Sequence, residues 1–111
     1  MTKDESVQGF ERVSTADLVP GELRSVNLGA VARICLGNAA GELFAVADRC
    51  PHSDFPMSKG TIVDDKFIEC GWHGAQFDCR NGDVVQGPAD DPIRTYDVRV
   101  ANGEVWVRNK P

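Results

Sequence analysis

The residue types best suited to metal chemistry are scarce in this chain of 111 residues, and they are clustered. There are four cysteines (Cys35, Cys50, Cys70, Cys79) and only two histidines (His52, His73). Both histidines lie within three residues of a cysteine, in Cys50-Pro51-His52 and in Cys70-Gly71-Trp72-His73, with 17 residues between His52 and Cys70. Each segment lets one thiolate and one imidazole grip a metal centre from a single loop. Those donors suit zinc or an iron–sulfur cluster. Two pairs of unconnected core residues in the same tandem placement is the weaker explanation. Cys35 and Cys79 read differently. Cys35 sits in an apolar strand, and Cys79 shares a face with Phe77 and Ala75. Both are expected to be inert buried thiols, with no disulfide between them.

Loops that hold a metal need a rigid frame, and the frame reads as β. Helical periodicity is nearly absent; residues 14–18 offer a cap-like start that Pro20-Gly21 cuts short, so a turn or one short helix is expected there. Strands are expected at 10–13, 22–27, 31–36, 43–47, 66–70, 75–79, 83–86, 94–100 and 104–108. Strand 43–47 leads into the first metal segment and 66–70 into the second. The two loops are expected at the tips of neighbouring hairpins. Asn81-Gly82 and Asn102-Gly103 predict two-residue hairpin turns. Folding at Asn102-Gly103 sets Val100 opposite Val105 and Val98 opposite Val107 on an apolar face. Arg99 then faces Trp106, and Asp97 faces Arg108, on the other. Folding at Asn81-Gly82 sets Arg80 opposite Asp83 and Cys79 opposite Val84. Many short strands at this spacing predict an all-β sandwich or barrel.

The pattern Cys-x-His followed by Cys-x-x-His resembles the Rieske [2Fe-2S] motif. The run His73-Gly74-Ala75-Gln76-Phe77-Asp78 extends the likeness, and Gly87-Pro88-Ala89 resembles the family's proline loop. The resemblance covers essentially the whole chain. It implies one domain over 1–111, an antiparallel β-sandwich or barrel with a small inserted cluster-binding subdomain at about 48–88. It also implies one Rieske-type [2Fe-2S] cluster, with Cys50 and Cys70 on one iron and His52 and His73 on the other.

Neutral imidazoles in place of two thiolates leave such a centre formally neutral when oxidised and singly negative when reduced, which raises its potential above that of a four-cysteine cluster. Reduction beside the imidazoles raises their pKa values, so by linkage their deprotonation lowers the potential, at alkaline pH in the oxidised form. High-potential respiratory relatives carry two further cysteines forming a disulfide; Phe55 and Trp72 stand at those positions here. Those relatives also place a Ser and a Tyr hydroxyl against the cluster sulfurs, where this chain has Ala75 and Phe77. Losing those donors is expected to set the potential near the low end of the Rieske range, roughly −150 mV.

What the chain lacks narrows its role. A mononuclear non-haem iron site needs two histidines and a carboxylate, and both histidines are already used. There is no Gly-x-Gly-x-x-Gly and no room for a nucleotide-binding domain of ~150 residues. No catalytic residue is expected. The resemblance implies a one-electron carrier, the ferredoxin component of a multicomponent aromatic-ring-hydroxylating dioxygenase. Its partners would be an NAD(P)H-dependent flavin reductase and a terminal Rieske non-haem iron oxygenase. The alternatives are a small Rieske subunit of another redox enzyme, such as an assimilatory nitrite reductase, and a structural Cys2His2 zinc module.

Docking is expected at the cluster tip, through Asp54, Phe55, Pro56, Met57 and Trp72; the alternative is that Phe55 and Trp72 pack over the cluster and keep water off it, a reading that for Trp72 weighs the same as docking. A composition of 41% apolar and 26% charged residues is that of a globular domain. The net charge of −5 argues against nucleic-acid binding and suggests that basic patches on partners guide the encounter. No apolar run approaches the ~20 residues of a membrane helix, and the first ten residues carry no apolar signal region. A cytoplasmic monomer is expected.

Overall fold

A computed structural model of the chain describes residues 7–30, 32–51, 53–72, 74–87 and 91–110. His52, His73, Val31 and the Pro88-Ala89 part of the proline loop lie outside them. The fold is all-β, with no α-helix among the described residues. Among the described residues the strands are β1 (Glu11–Thr15), β2 (Leu23–Leu28), β3 (Ala32–Ala39), β4 (Glu42–Ala47), β5 (Thr61–Val63), β6 (Phe67–Glu69), β7 (Gln76–Asp78), β8 (Val84–Gln86), β9 (Thr95–Ala101) and β10 (Glu104–Asn109). They form an antiparallel six-stranded sheet ordered β1-β10-β9-β4-β3-β2 and a four-stranded sheet ordered β5-β6-β7-β8. The smaller sheet is inserted between β4 and β9.

The large sheet curls until its two edges meet. The seam is made by side chains. Arg24 on β2 donates to the Ser14 hydroxyl at 2.8 Å and pairs with Asp17 at 2.7 Å. The Gly29 amide donates to the Glu11 carboxylate at 2.6 Å. The Asp17 pair lies in solvent, and the Arg24 guanidinium holds that carboxyl below its ordinary range.

β3 and β4 are buried on both faces, which is why they read as continuous apolar runs. Ile34, Leu36 and Ala45 face inward with Tyr96, Val105 and Val107. Cys35, Phe44 and Val46 face the small sheet, against Ile68, Ala75 and Phe77. Cys35 and Cys79 are unpaired thiols inside this second core, as expected from their apolar settings. Burial pushes the Cys79 thiol up to about 12, and burial pushes Cys35 upward as well.

The β9–β10 register is the one expected, residue for residue: Val100 faces Val105, Val98 faces Val107, Arg99 faces Trp106, and Asp97 faces Arg108 with an ion pair at 3.1 Å. The turn holds Asn102 and Gly103 at φ 55° and 73°, the left-handed pair that a type I′ turn requires. Val100, though on the apolar face, is 54% exposed because it stands near the hairpin tip.

The hairpin at Asn81-Gly82 differs from expectation. Phe77, not Cys79, faces Val84, and a bulge separates Gln76 from Phe77. Two side chains explain the wider turn. Asp78 accepts from the Arg80 amide at 2.8 Å, and Asn81 accepts from the Asp83 amide at 2.9 Å. Those bonds replace the tight ladder, and Cys79 is drawn into the core. Residues 14–18 form the end of β1 and a bend; a turn follows, closed by the Glu22 amide on the Val19 carbonyl at 3.0 Å. β5 and the 3₁₀ turn at Met57–Lys59 have no counterpart among the expected elements.

Candidate metal centre

The two cysteine loops approach from different sheets. Cys50 lies three residues beyond β4 of the large sheet, and Cys70 directly follows β6 of the small one. Only the second loop is a hairpin tip; the first is the crossover between sheets, which corrects the expectation of two neighbouring hairpins. Loop closure is nonetheless the same in both. The Cys50 amide donates to the Phe55 carbonyl at 2.9 Å, and the Cys70 amide donates to the Ala75 carbonyl at 2.8 Å. Each loop turns the chain with a left-handed residue four positions after its cysteine: Asp54 at φ 61° and Gly74 at φ 74°.

Both thiols are buried and share one core with Met57, Ala75 and Phe77. Burial pushes the Cys70 thiol above its ordinary range, and the adjacent Cys50 thiol adds to this. The Trp72 amide and the Ser53 hydroxyl act in the opposite sense. The Trp72 amide lies 3.4 Å from Cys70 Sγ, and Ser53 Oγ lies 3.7 Å from it. Ser53 therefore puts a hydroxyl beside a sulfur that the sequence reading, centred on Ala75 and Phe77, did not count.

The first loop is anchored from beneath by Asp48, a buried carboxylate. It accepts from the Ser25 hydroxyl at 2.7 Å, the Ser58 amide at 2.7 Å and the Ser58 hydroxyl at 3.0 Å. That ties β2, the loop and the 3₁₀ turn together. A lone Asp two residues before a Cys carries no sequence signal for this task. On the outer side, Arg49 pairs with Asp54 at 2.6 Å in full solvent and holds the Asp54 carboxyl below its ordinary range.

Of the five residues expected at the contact surface, Asp54 is exposed and Phe55 and Pro56 are half-buried. Trp72 is 52% exposed and Met57 is fully buried. Met57 is thus a core residue; the 3₁₀ turn buries its side chain in the core that holds both cysteines. His52 and His73 lie outside the described residues. Among the described residues, no three His, Cys, Asp or Glu side chains gather within reach of one metal ion.

Comparison with known proteins identifies the class. Residues 10–97 match the Rieske [2Fe-2S] domain, and the chain belongs to that family. It is 38% identical over 92 residues to the 3-phenylpropionate/cinnamic acid dioxygenase ferredoxin subunit of Escherichia coli, a match covering 83% of this chain and 85% of that one. Its fold superposes on the ferredoxin of carbazole 1,9a-dioxygenase from Nocardioides aromaticivorans with a TM-score of 0.83, at 28% identity, over 91% of this chain and 98% of that one. A complex of reduced oxygenase and oxidized ferredoxin in carbazole 1,9a-dioxygenase matches at TM-score 0.80 and 33% identity, over 87% and 99% of the two chains.

The protein is accordingly an electron-transfer component, not an enzyme, and its cofactor is one Rieske-type 2Fe-2S cluster. The described donors fit that group. Two thiols buried side by side repel once ionised, and a cationic centre relieves the repulsion. The amide and hydroxyl beside Cys70 Sγ are the donors that a ligating thiolate accepts.

Proposed function

We propose that this chain is a freely diffusing one-electron carrier. It takes electrons from a flavin-dependent NAD(P)H reductase and delivers them to a terminal Rieske non-haem iron oxygenase that acts on an aromatic ring. The observation that carries the reading is the buried Cys50–Cys70 pair, held by two loops of matching closure in a chain similar to dioxygenase ferredoxins. Cys50 and Cys70 would hold one iron, and His52 and His73 the other. When bound, the cluster stores and releases a single electron. The chain's own residues bury the thiolates, donate to Cys70 Sγ from the Trp72 amide and Ser53 hydroxyl, and present Asp54, Phe55, Pro56 and Trp72 at the outer rim for docking. Residues 1–111 act as one domain, with the cluster held by about 48–88. The carrier works as a monomer in the cytoplasm; no helix among the described residues is long and apolar enough to cross a membrane.

Anaerobically purified protein is expected to contain two irons and two acid-labile sulfides per chain, and to show an EPR signal once reduced. Cys50→Ser, Cys70→Ser, His52→Ala and His73→Ala should each abolish the visible absorption. The loaded protein should support oxygenase turnover with a reductase and NAD(P)H. Full absorption in any of the four variants would remove that residue from the ligand set. Colourless protein with bound zinc would replace the reading with a structural metal module.

A further inference from the structure

Two loops that rise from different sheets need something to fix the distance between them. The structure spans that gap with an aromatic pair. Phe55, whose carbonyl closes the first loop, stacks on Trp72 in the second, with ring centroids 6.1 Å apart and planes inclined by 27°. An indole that remains 52% exposed contributes little to core filling. Its position across the loops is therefore the informative fact.

A second observation concerns the neighbouring residue. A Cβ added to Gly71 would stand 3.2 Å from Cε2 of Phe55 and 3.3 Å from the Lys59 carbonyl oxygen. The Phe55 ring thus rests directly against the backbone of the second loop, in a seat that exists because residue 71 has no side chain. Phe55 comes from the large-sheet crossover and touches the small-sheet hairpin at two consecutive residues, once on backbone and once on a ring.

We propose that Phe55, seated on Gly71 and stacked on Trp72, is a clasp that holds the two metal-binding loops at fixed separation, and so governs how long the iron–sulfur group is retained. The proposal rests on the reading in which both loops supply ligands. Release of the group requires the loops to part, and parting them breaks the ring pair. Aromatic pairs of this kind stabilise beyond their buried area by an amount equal to about a 2- to 10-fold change in an equilibrium. These are positioning residues; their effect reaches the metal through Cys50 and Cys70.

The test compares loaded wild type with Phe55→Leu, Trp72→Leu, the double variant, Trp72→Phe and Gly71→Ala. The readouts are the rate of loss of visible absorption in excess iron chelator and the EPR line shape of the reduced protein. The leucine variants should bleach about 2- to 10-fold faster than wild type and show broadened EPR lines. The double variant should bleach no faster than the worse single variant, because both remove one interaction. Trp72→Phe should restore most of the wild-type lifetime, and Gly71→Ala, which leaves both rings in place but unseats one, should shorten it. Wild-type bleaching rates in Phe55→Leu and Gly71→Ala would overturn the clasp, as would additive effects in the double variant. Wild type that loads no iron would instead overturn the ligand assignment, and the clasp with it.

Discussion

The two cysteine loops are variations on one backbone solution. Both close a cysteine amide onto a carbonyl five residues later, and both turn through a left-handed residue at the fourth position. They differ in how that position is held. In 70–75 the residue is Gly74, which adopts the conformation without strain. In 50–55 it is Asp54, whose side chain disfavours the same backbone. There the Asp54 amide also bonds the Cys50 carbonyl at 2.8 Å, and Arg49 clamps its carboxylate. Beneath, Asp48 adds three hydrogen bonds from a buried carboxylate; among the described residues the other loop has no buried carboxylate, and the Gln86 side-chain amide donates to its Gly74 carbonyl at 3.2 Å. The hairpin loop inherits order from the ladders on either side. The crossover loop has no ladder and must be held by side chains.

Removing the anchor should have the largest effect on this contrast. Asp48→Ala leaves the Ser58 amide and two hydroxyls without their charged acceptor. It should cost about 3 kcal/mol in denaturant unfolding, with the crossover gaining amide exchange before the hairpin does. Equal exchange in both loops would deny Asp48 its local role. Next in size is Gly74→Ala. A Cβ there meets nothing within 4 Å, so the cost is that of the left-handed backbone alone, about 1 kcal/mol, read as a lower melting temperature. An unchanged melt would mean that the hairpin tolerates a different turn. The smallest effect belongs to Asp54→Asn, which keeps tolerance for the left-handed turn and loses the charge. Its melt should fall slightly below wild type in dilute buffer and coincide with it in molar salt, because the ion pair is fully hydrated. A gap that persists in salt would assign Asp54 a role beyond the Arg49 pair.

The same contrast explains what the chain disclosed before folding. The β9–β10 register could be read because Asn102-Gly103 sits between strands with strict alternation, and nothing nearby competes for the turn amides. Asn81-Gly82 gave an identical signal and a different turn, because Asp78 and Asn81 capture those amides with side chains. The β3–β4 turn places Ala40, not Asn or Gly, at φ 55° beside Gly41. Gly41 alone announces that turn and Ala40 does not, and the expected strands stopped short at 36 and 43. β5 has three residues between Gly60 and Asp64, too few to show a period. At the centre, the meeting of Cys50 and Cys70 in one core was legible because their types and tandem spacing point to one place. The residues supporting them were not. Asp48, Ser53 and Met57 act through position in space, and Met57 next to a ligand loop reads equally well as surface or as core.

The split origin of the two thiols has a mechanical consequence. Cys50 rides on one sheet and Cys70 on the other, so their proximity gauges the alignment of two separately laddered bodies. Shear of one sheet past the other by a single residue step, ~3.3 Å, would carry the sulfurs out of register with each other. A fragment containing one loop carries only one of the two thiols, so the pair exists only where both sheets are folded and aligned.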